Sequence, residues 1–319
     1  VPEPSAIGLA GTSLGQAARR LFLATRPKFF TASVLPVLLG SAWGYGIAEN
    51  FDSVAFVLAV FATIFIHAAT NVLNDVYDEL TGNDGPNENR IYPYTGGSRF
   101  IQNGVMDVAQ MRSWGIALLL LGVSTGLMLA YLKGVAIIGL GLTGVALGVL
   151  YSAPPFRLSA RGMGEIAVAI GFGLLPVVGA AWLQTGQFSI EAALLALPVG
   201  IWIANVLVIN EVPDVAADAG AGCKTAAVRL GGAGTRRLYL VGQIVAAIAS
   251  LTLAVIGLIP LWAGLVLVLT VVPAWTAAQS IVAPPTERDR LRTGIEATLG
   301  IHAAGTLVLI VSVLSMLWS

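Results

Sequence analysis

Apolar runs of about twenty residues recur along this chain, at 29–48, 53–75, 113–132, 134–152, 164–184, 190–210, 236–257, 260–280 and 297–318. Each matches the helix length needed to cross roughly 30 Å of hydrocarbon. Inside a bilayer no water is present to satisfy backbone N–H and C=O groups, so such runs fold as helices that bond internally. Composition agrees: 56% of the 319 residues are hydrophobic, 11% are charged and the mean hydropathy is +0.84, whereas a soluble domain is about a quarter charged. The expected fold is all-α, a polytopic membrane bundle of nine transmembrane helices over 26–319 with loops covering one end.

Residues 1–25 precede the first run. Val1 to Gly15 are rich in Pro, Gly, Ser and Ala and read as a loose tail, and the leucines and alanines around Arg19 and Arg20 suggest an interfacial helix. A formal net charge of zero gives no bulk attraction to nucleic acid, and none is expected as a partner. The single cysteine, Cys223, excludes an internal disulfide and a cysteine-based metal centre.

Lys and Arg orient the bundle, because cytoplasmic loops are enriched in them. Nine spans put the tail and the segments after the second, fourth, sixth and eighth spans on one side, and that side collects sixteen of the seventeen basic residues, leaving only Lys133 opposite. The N-terminus is therefore expected in the cytoplasm, in a prokaryotic inner or plasma membrane. The segments near 79–112 and 211–235 on the same side are long, and long loops in a compact bundle tend to carry function.

Two acidic clusters open those long segments. The second span ends in Asn71, Asn74, Asp75 and Asp78, with Asn71, Asp75 and Asp78 on one helical face; the sixth ends in Asn210, Glu211, Pro213, Asp214 and Asp218, with Asn210, Asp214 and Asp218 one turn apart. The motifs are near copies in matching helices, which points to a weak internal duplication. A lone cluster of this kind reads equally as solvated helix-end acids, but repeated acids at a membrane boundary read as functional. Helix C-termini disfavour negative charge, so a positive partner is required. Hard divalent ions take carboxylate and amide oxygens, and Mg²⁺ commonly uses one or two carboxylates and completes its shell with water and phosphates. The clusters are thus expected to form Mg²⁺ sites bridged by a diphosphate, with Asp75, Asp78, Asp214, Asp218, Asn71 and Asn210 as ligands.

Neutralising a polyphosphate needs further cations, and the same side offers Lys224, Arg157, Arg99 and Arg26. Tyr92, Tyr94, Tyr151 and Arg99 are candidates for the pocket or a lid, although aromatics at membrane interfaces also serve as anchors. His67 and His302 stand in apolar spans without metal-ligand spacing and read as packed, hydrogen-bonded residues.

The two Asp-rich motifs, the stretch from Tyr151 and Arg157 to Gly162, Met163, Gly164 and Glu165, and the run Lys224, Thr225, Val228, Arg229, Leu230, Gly231 together resemble the UbiA family of intramembrane prenyltransferases from about Arg26 onward. That resemblance implies nine helices whose Asp-rich motifs face each other below a lipid-facing chamber. Its implied activity joins a polyprenyl diphosphate to an aromatic acceptor. Gly82 followed by Asp84 is similar to the branch acting on 1,4-dihydroxy-2-naphthoate in menaquinone biosynthesis, while Glu211, Val212 and Pro213 depart from the usual second motif. Other acceptors stay open: 4-hydroxybenzoate, homogentisate, a tetrapyrrole or a glycerol-phosphate ether. An ion-coupled secondary transporter is the alternative of another class; its site would lie near the midplane on broken helices.

Overall fold

In a computed structural model, residues 2–82, 87–284 and 286–317 are described, and every regular element among them is helical. Asp84, which the sequence reading used to favour one branch, lies outside the described residues. Eight segments are long and apolar enough to span a membrane: Pro27–Ala48, Ser53–Thr81, Val108–Lys133, Gly164–Thr185, Ile190–Asn210, Ala226–Val255, Leu261–Ser280 and Arg288–Ser315. The remaining expected span is an apolar helix of 17 residues, Ala136–Ser152, about 26 Å long at 1.5 Å per residue. The chain is an integral membrane protein.

Caps set most of the helix starts. Helix α1 (Leu14–Ala24) opens on a reciprocal capping box between Ser13 and Gln16. Helices α2 (Thr31–Ala48) and α3 (Ser53–Thr81) follow, with Asp52 accepting from the Ala55 N–H at the start of α3 and Gly82 ending it in the left-handed conformation. Helix α4 (Val108–Lys133) begins with an Asp107/Gln110 capping box, and α5 is Ala136–Ser152. Near the far end of α3, the Lys133 ammonium lies 2.9 Å from Asp52 Oδ2, so α3 and α4 run antiparallel from that corner towards the Asp-rich face.

Proline explains several breaks that hydropathy smoothed over. Helices α6 (Gly164–Val168) and α7 (Leu175–Thr185) are joined by a π-helical turn over Ala169–Leu174, just before Pro176, which has no N–H to return to the preceding turn. The span expected at 260–280 divides into α11 (Leu261–Val268) and α12 (Val271–Ser280) ahead of Pro273. Between α8 (Ile190–Asn210) and the short α9 (Val215–Gly220), residues 211–214 form a turn containing Pro213. Asp214 therefore stands beyond α8 and not in its last turn, a correction to the sequence expectation. Helices α10 (Ala226–Val255) and α13 (Arg288–Ser315) complete the chain.

Packing is closest between α3 and α4, α2 and α7, α8 and α10, and α13 with α2 and α12. Small residues allow it: a Cβ on Gly40 of α2 would sit 2.1 Å from the Val177 carbonyl oxygen of α7. The main core joins Leu39, Val177, Leu195, Trp202, Tyr239 and Leu309. The tail is tied down rather than loose, since Arg20 donates to the Leu9 and Gly11 carbonyls and Glu3 pairs with Arg90 at 2.8 Å.

Candidate active site

The final turns of α3 carry the first motif. Asn71 donates to the Thr25 carbonyl at 3.0 Å, and Asn74 donates to Ser152 Oγ at 3.0 Å. Asp75 is only 3% exposed and accepts from the Ser98 backbone N–H at 3.0 Å, with Arg26 Nη1 3.9 Å from its other oxygen. Arg26 itself adopts a left-handed backbone (φ 58°) and donates to the Tyr94 carbonyl at 3.2 Å.

The second motif is held in the same manner from the other half of the bundle. Asp214 accepts from the Asn87 side-chain amide at 2.7 Å and from the Gly96 N–H at 3.3 Å. The Asp218 N–H returns to the Asp214 carbonyl at 2.8 Å, so the one-turn spacing survives the break at Pro213. Thr225 donates to Asp218 at 3.4 Å. Burial pushes the Asp214 carboxyl up to about 6, against the hydrogen bond from Asn87, because low dielectric disfavours the charged form.

These elements enclose a polar cavity of about 140 Å³. Of the sequence-predicted residues, Arg26, Asp78, Tyr94, Tyr151, Arg157, Asn210, Asp214 and Asp218 line it. Asn71, Asp75, Tyr92, Arg99 and Lys224 do not. Asp75 and Arg99 are buried, Asp75 against the Ser98 amide, Asn71 is turned to Thr25, and the Lys224 side chain is exposed while its backbone N–H donates to the Ala160 carbonyl at 2.7 Å. Gly162 sits in the left-handed region (φ 71°), and a Cβ there would lie 2.9 Å from the Lys224 carbonyl oxygen, which explains the glycine of the middle motif by close approach to the second.

A second cavity of about 260 Å³, almost wholly apolar, lies among α2, α3, α4, α5 and α7 and reaches the π turn. Tyr151 lines both cavities. His67 lines the apolar one, with Nδ1 2.7 Å from Ser33 Oγ and its ring 4.4 Å from that of Phe172.

Sequence reasoning missed Asn87, Thr95, Gly96 and Ser98, which bond the acidic motifs through a side-chain amide, a hydroxyl and two backbone amides. Backbone donors leave no residue-type signal, and Asn87 is one polar residue in a polar loop. It also missed the carboxyl pair of Glu165 and Glu211, where burial, and then the charge of Glu165, raise Glu211 above the usual range. Glu211 further accepts from the Ala227 N–H at 3.1 Å, anchoring the start of α10.

The donor set suits a hard cation. Among the described residues, no group of three His, Cys, Asp or Glu side chains is arranged to hold a metal by itself; Mg²⁺ commonly takes one or two carboxylates and completes its shell with water and phosphates. Two buried oxygens, Asp75 Oδ1 and Asn210 Oδ1, accept no hydrogen bond, one in each motif, and oxygens left in that state call for a partner of another kind.

Comparison with known proteins identifies the family. Residues 33–317 match the UbiA prenyltransferase family. The chain belongs to that family. It is 32% identical over 240 residues to a 1,4-dihydroxy-2-naphthoate octaprenyltransferase of Haemophilus influenzae, covering 72% of this chain and 75% of that one. Over 222 residues it is 34% identical to a 2-carboxy-1,4-naphthoquinone phytyltransferase of Synechocystis, covering 69% of each. A UbiA homologue from Archaeoglobus fulgidus bound to GPP and Mg²⁺ has the same fold, with a TM-score of 0.67 over 92% of this chain and 99% of that one at 18% identity. As a UbiA member, the protein is a prenyltransferase.

Proposed function

We propose that this prenyltransferase moves a polyisoprenyl group from its diphosphate to 1,4-dihydroxy-2-naphthoate in menaquinone biosynthesis, with Mg²⁺ as cofactor and the site facing the cytoplasm of a prokaryotic plasma membrane. The observation that carries the reading is the junction at Tyr151, where a polar cavity lined by Asp78, Asp214, Asp218, Arg26 and Arg157 meets an apolar chamber. A polyprenyl diphosphate has the same two-part chemistry. Its hydrocarbon gains roughly 0.8 kcal/mol per buried CH₂, and its head needs cations. The curated relatives named above act on naphthoate-type acceptors, and the A. fulgidus homologue binds a prenyl diphosphate with Mg²⁺.

In this reading Asp78, Asp214, Asp218 and Asn210 on the cavity wall, with Asp75 and Asn71 off it, would hold Mg²⁺, which when bound supplies positive charge to the departing diphosphate. Arg157 and Arg26 add guanidinium donors inside the cavity, and these stabilise charge that grows as the allylic carbon–oxygen bond breaks. Lys224, whose neighbours Cys223 and Thr225 line the cavity, adds charge at its edge. Segment 87–98 covers the two Asp-rich motifs through its hydrogen bonds and keeps water from trapping the allylic cation as an alcohol. Tyr151, at the boundary, orients the reacting carbon toward the electron-rich acceptor ring. Attack by that ring forms the new carbon–carbon bond as diphosphate leaves, and loss of the acceptor carboxyl group as CO₂ leaves a demethylmenaquinol, the hydroquinone form.

The test is incubation of purified protein with geranylgeranyl diphosphate, Mg²⁺ and a panel of acceptors, with products identified by mass. Prenylated and decarboxylated naphthoate is the expected product. Turnover confined to hydroxybenzoate, homogentisate, a tetrapyrrole or a glycerol phosphate would overturn the acceptor assignment, and full activity in excess EDTA would overturn the metal.

A further inference from the structure

The covering segment is gripped from outside the cavity by one face of α13. Residues 288, 292 and 296 stand one turn apart on that helix, so their side chains project on the same side. Arg288 Nη2 donates to the Arg90 carbonyl, Arg292 Nη2 donates to the Tyr92 carbonyl at 3.4 Å, and Glu296 Oε1 accepts from the Tyr94 hydroxyl at 2.9 Å. Successive helical turns thus meet alternate residues of the loop, and none of the three helix residues lines the cavity.

Tyr94 is the buried rung. It is 7% exposed, its carbonyl accepts from Arg26 at 3.2 Å, and the Lys28 ammonium lies 5.1 Å from its ring centre. Burial and the bond to Glu296 push its hydroxyl up to about 12, so it remains a donor. The loop is braced locally by the Tyr94 N–H to the Ile91 carbonyl at 2.8 Å and by the Ile91 N–H to Thr95 Oγ1 at 2.9 Å. Two and four residues beyond Tyr94 come the amides of Gly96 and Ser98 that bond Asp214 and Asp75. A displacement at Tyr94 is therefore passed by a short, braced segment to both acidic motifs.

We infer that Glu296 is a positioning residue for the prenyl-transfer site: by fixing Tyr94 it sets where the Gly96 and Ser98 amides meet the Asp-rich motifs. The inference rests on the proposed function only for what the site does. Its structural part is tested without turnover, by hydrogen exchange of a peptide covering 90–98 in detergent-solubilised, EDTA-treated protein. Loss of one such bond corresponds to about a tenfold change in an equilibrium. Glu296→Ala is expected to speed exchange about tenfold, Glu296→Gln, which keeps an acceptor, to stay within about twofold of the parent, and Tyr94→Phe to match Glu296→Ala. The double variant Glu296→Ala/Tyr94→Phe should be no faster than either single change, because all three break one bond.

With geranylgeranyl diphosphate as donor, KM should rise about tenfold in Glu296→Ala with kcat changed by less than about threefold, since a loosened cover lowers the binding-competent fraction. Unchanged exchange, a Gln variant as fast as Ala, or an additive double variant would overturn the inference. If Glu296→Ala does not fold, Tyr94→Phe breaks the same rung from the loop side and decides the exchange result. A wild-type protein inactive with every acceptor would remove the proposed function and leave the exchange readings standing.

Discussion

Asp75 and Asp214 accept hydrogen bonds from backbone amides two residues apart, those of Ser98 and Gly96, although one stands near the end of α3 and the other on the turn after α8. One short loop therefore measures the separation of the two motifs. If both motifs hold the ions that neutralise one diphosphate, neither can be lost alone. Asp75→Ala and Asp214→Ala are each expected to lower prenyl transfer by at least about 10²–10³-fold, with circular dichroism and elution in detergent unchanged. Retained turnover in both variants would remove them from the metal sites.

Much of this was legible because a bilayer restricts a chain severely. The apolar runs located the helices, and the repeated Asn/Asp spacing pointed to α3 and to the end of α8. Pro213 was visible too, yet its consequence, Asp214 on a turn, needed the geometry of residues 211–214. The amides of Gly96 and Ser98 had no signature, since every residue but proline carries that donor. Lys224 follows Asp218 closely in the sequence, but its side chain is exposed, whereas Arg26, far from either motif in the sequence, lines the cavity.

Asp214 also predicts an acid dependence for the metal-free protein. Its folded value of about 6 lies above the ordinary aspartate value of about 3.9. The folded chain thus binds more protons than the unfolded one between about pH 4 and pH 6, and stability falls as pH rises through that window. Relative to Asp214→Asn, the wild type should lose up to about 3 kcal/mol between pH 4 and pH 7. Thermal unfolding in EDTA across that range checks it, and curves that stay parallel would refute it. Mg²⁺ at pH 7 should reverse the order, because only the carboxylate gains from the ion.

The apolar chamber gives a prediction about donor length. Gly144 lines it, and a Cβ at that position would meet only Leu175 Cδ1, at 3.9 Å, so a larger side chain has room to enter without displacing backbone. Gly144→Phe should lower kcat/KM for an octaprenyl donor by about tenfold or more relative to geranyl diphosphate. Equal losses for both donors would mean that the chain does not lie in this chamber.

Glycine also fixes the contact of α2 with α7. With a Cβ on residue 40 only 2.1 Å from the Val177 carbonyl oxygen, the backbone must move to admit any side chain. Gly40→Ala is expected to cost about 1–3 kcal/mol, read as a lowered Tm in detergent, with the KM for diphosphate affected less than the yield of folded protein.

Arg157 separates function from stability most sharply. Its backbone is left-handed (φ 43°), a conformation that costs an ordinary residue more than glycine. From there its Nη2 reaches Thr81 Oγ1 at 3.5 Å and Cys223 Sγ at 3.7 Å, so one guanidinium spans the end of α3 and the segment after α9 while lining the cavity. Lysine keeps the charge but not the planar fork that can serve two neighbours and a phosphate together. Arg157→Lys should therefore lower kcat/KM by about 10–100-fold, at about 1–3 kcal/mol for a charged hydrogen bond. Arg157→Gly should lose at least as much activity while Tm is unchanged or raised, because glycine relieves the backbone. Were Tm and activity to fall together in the glycine variant, the residue would be holding the fold, and the diphosphate would need another partner.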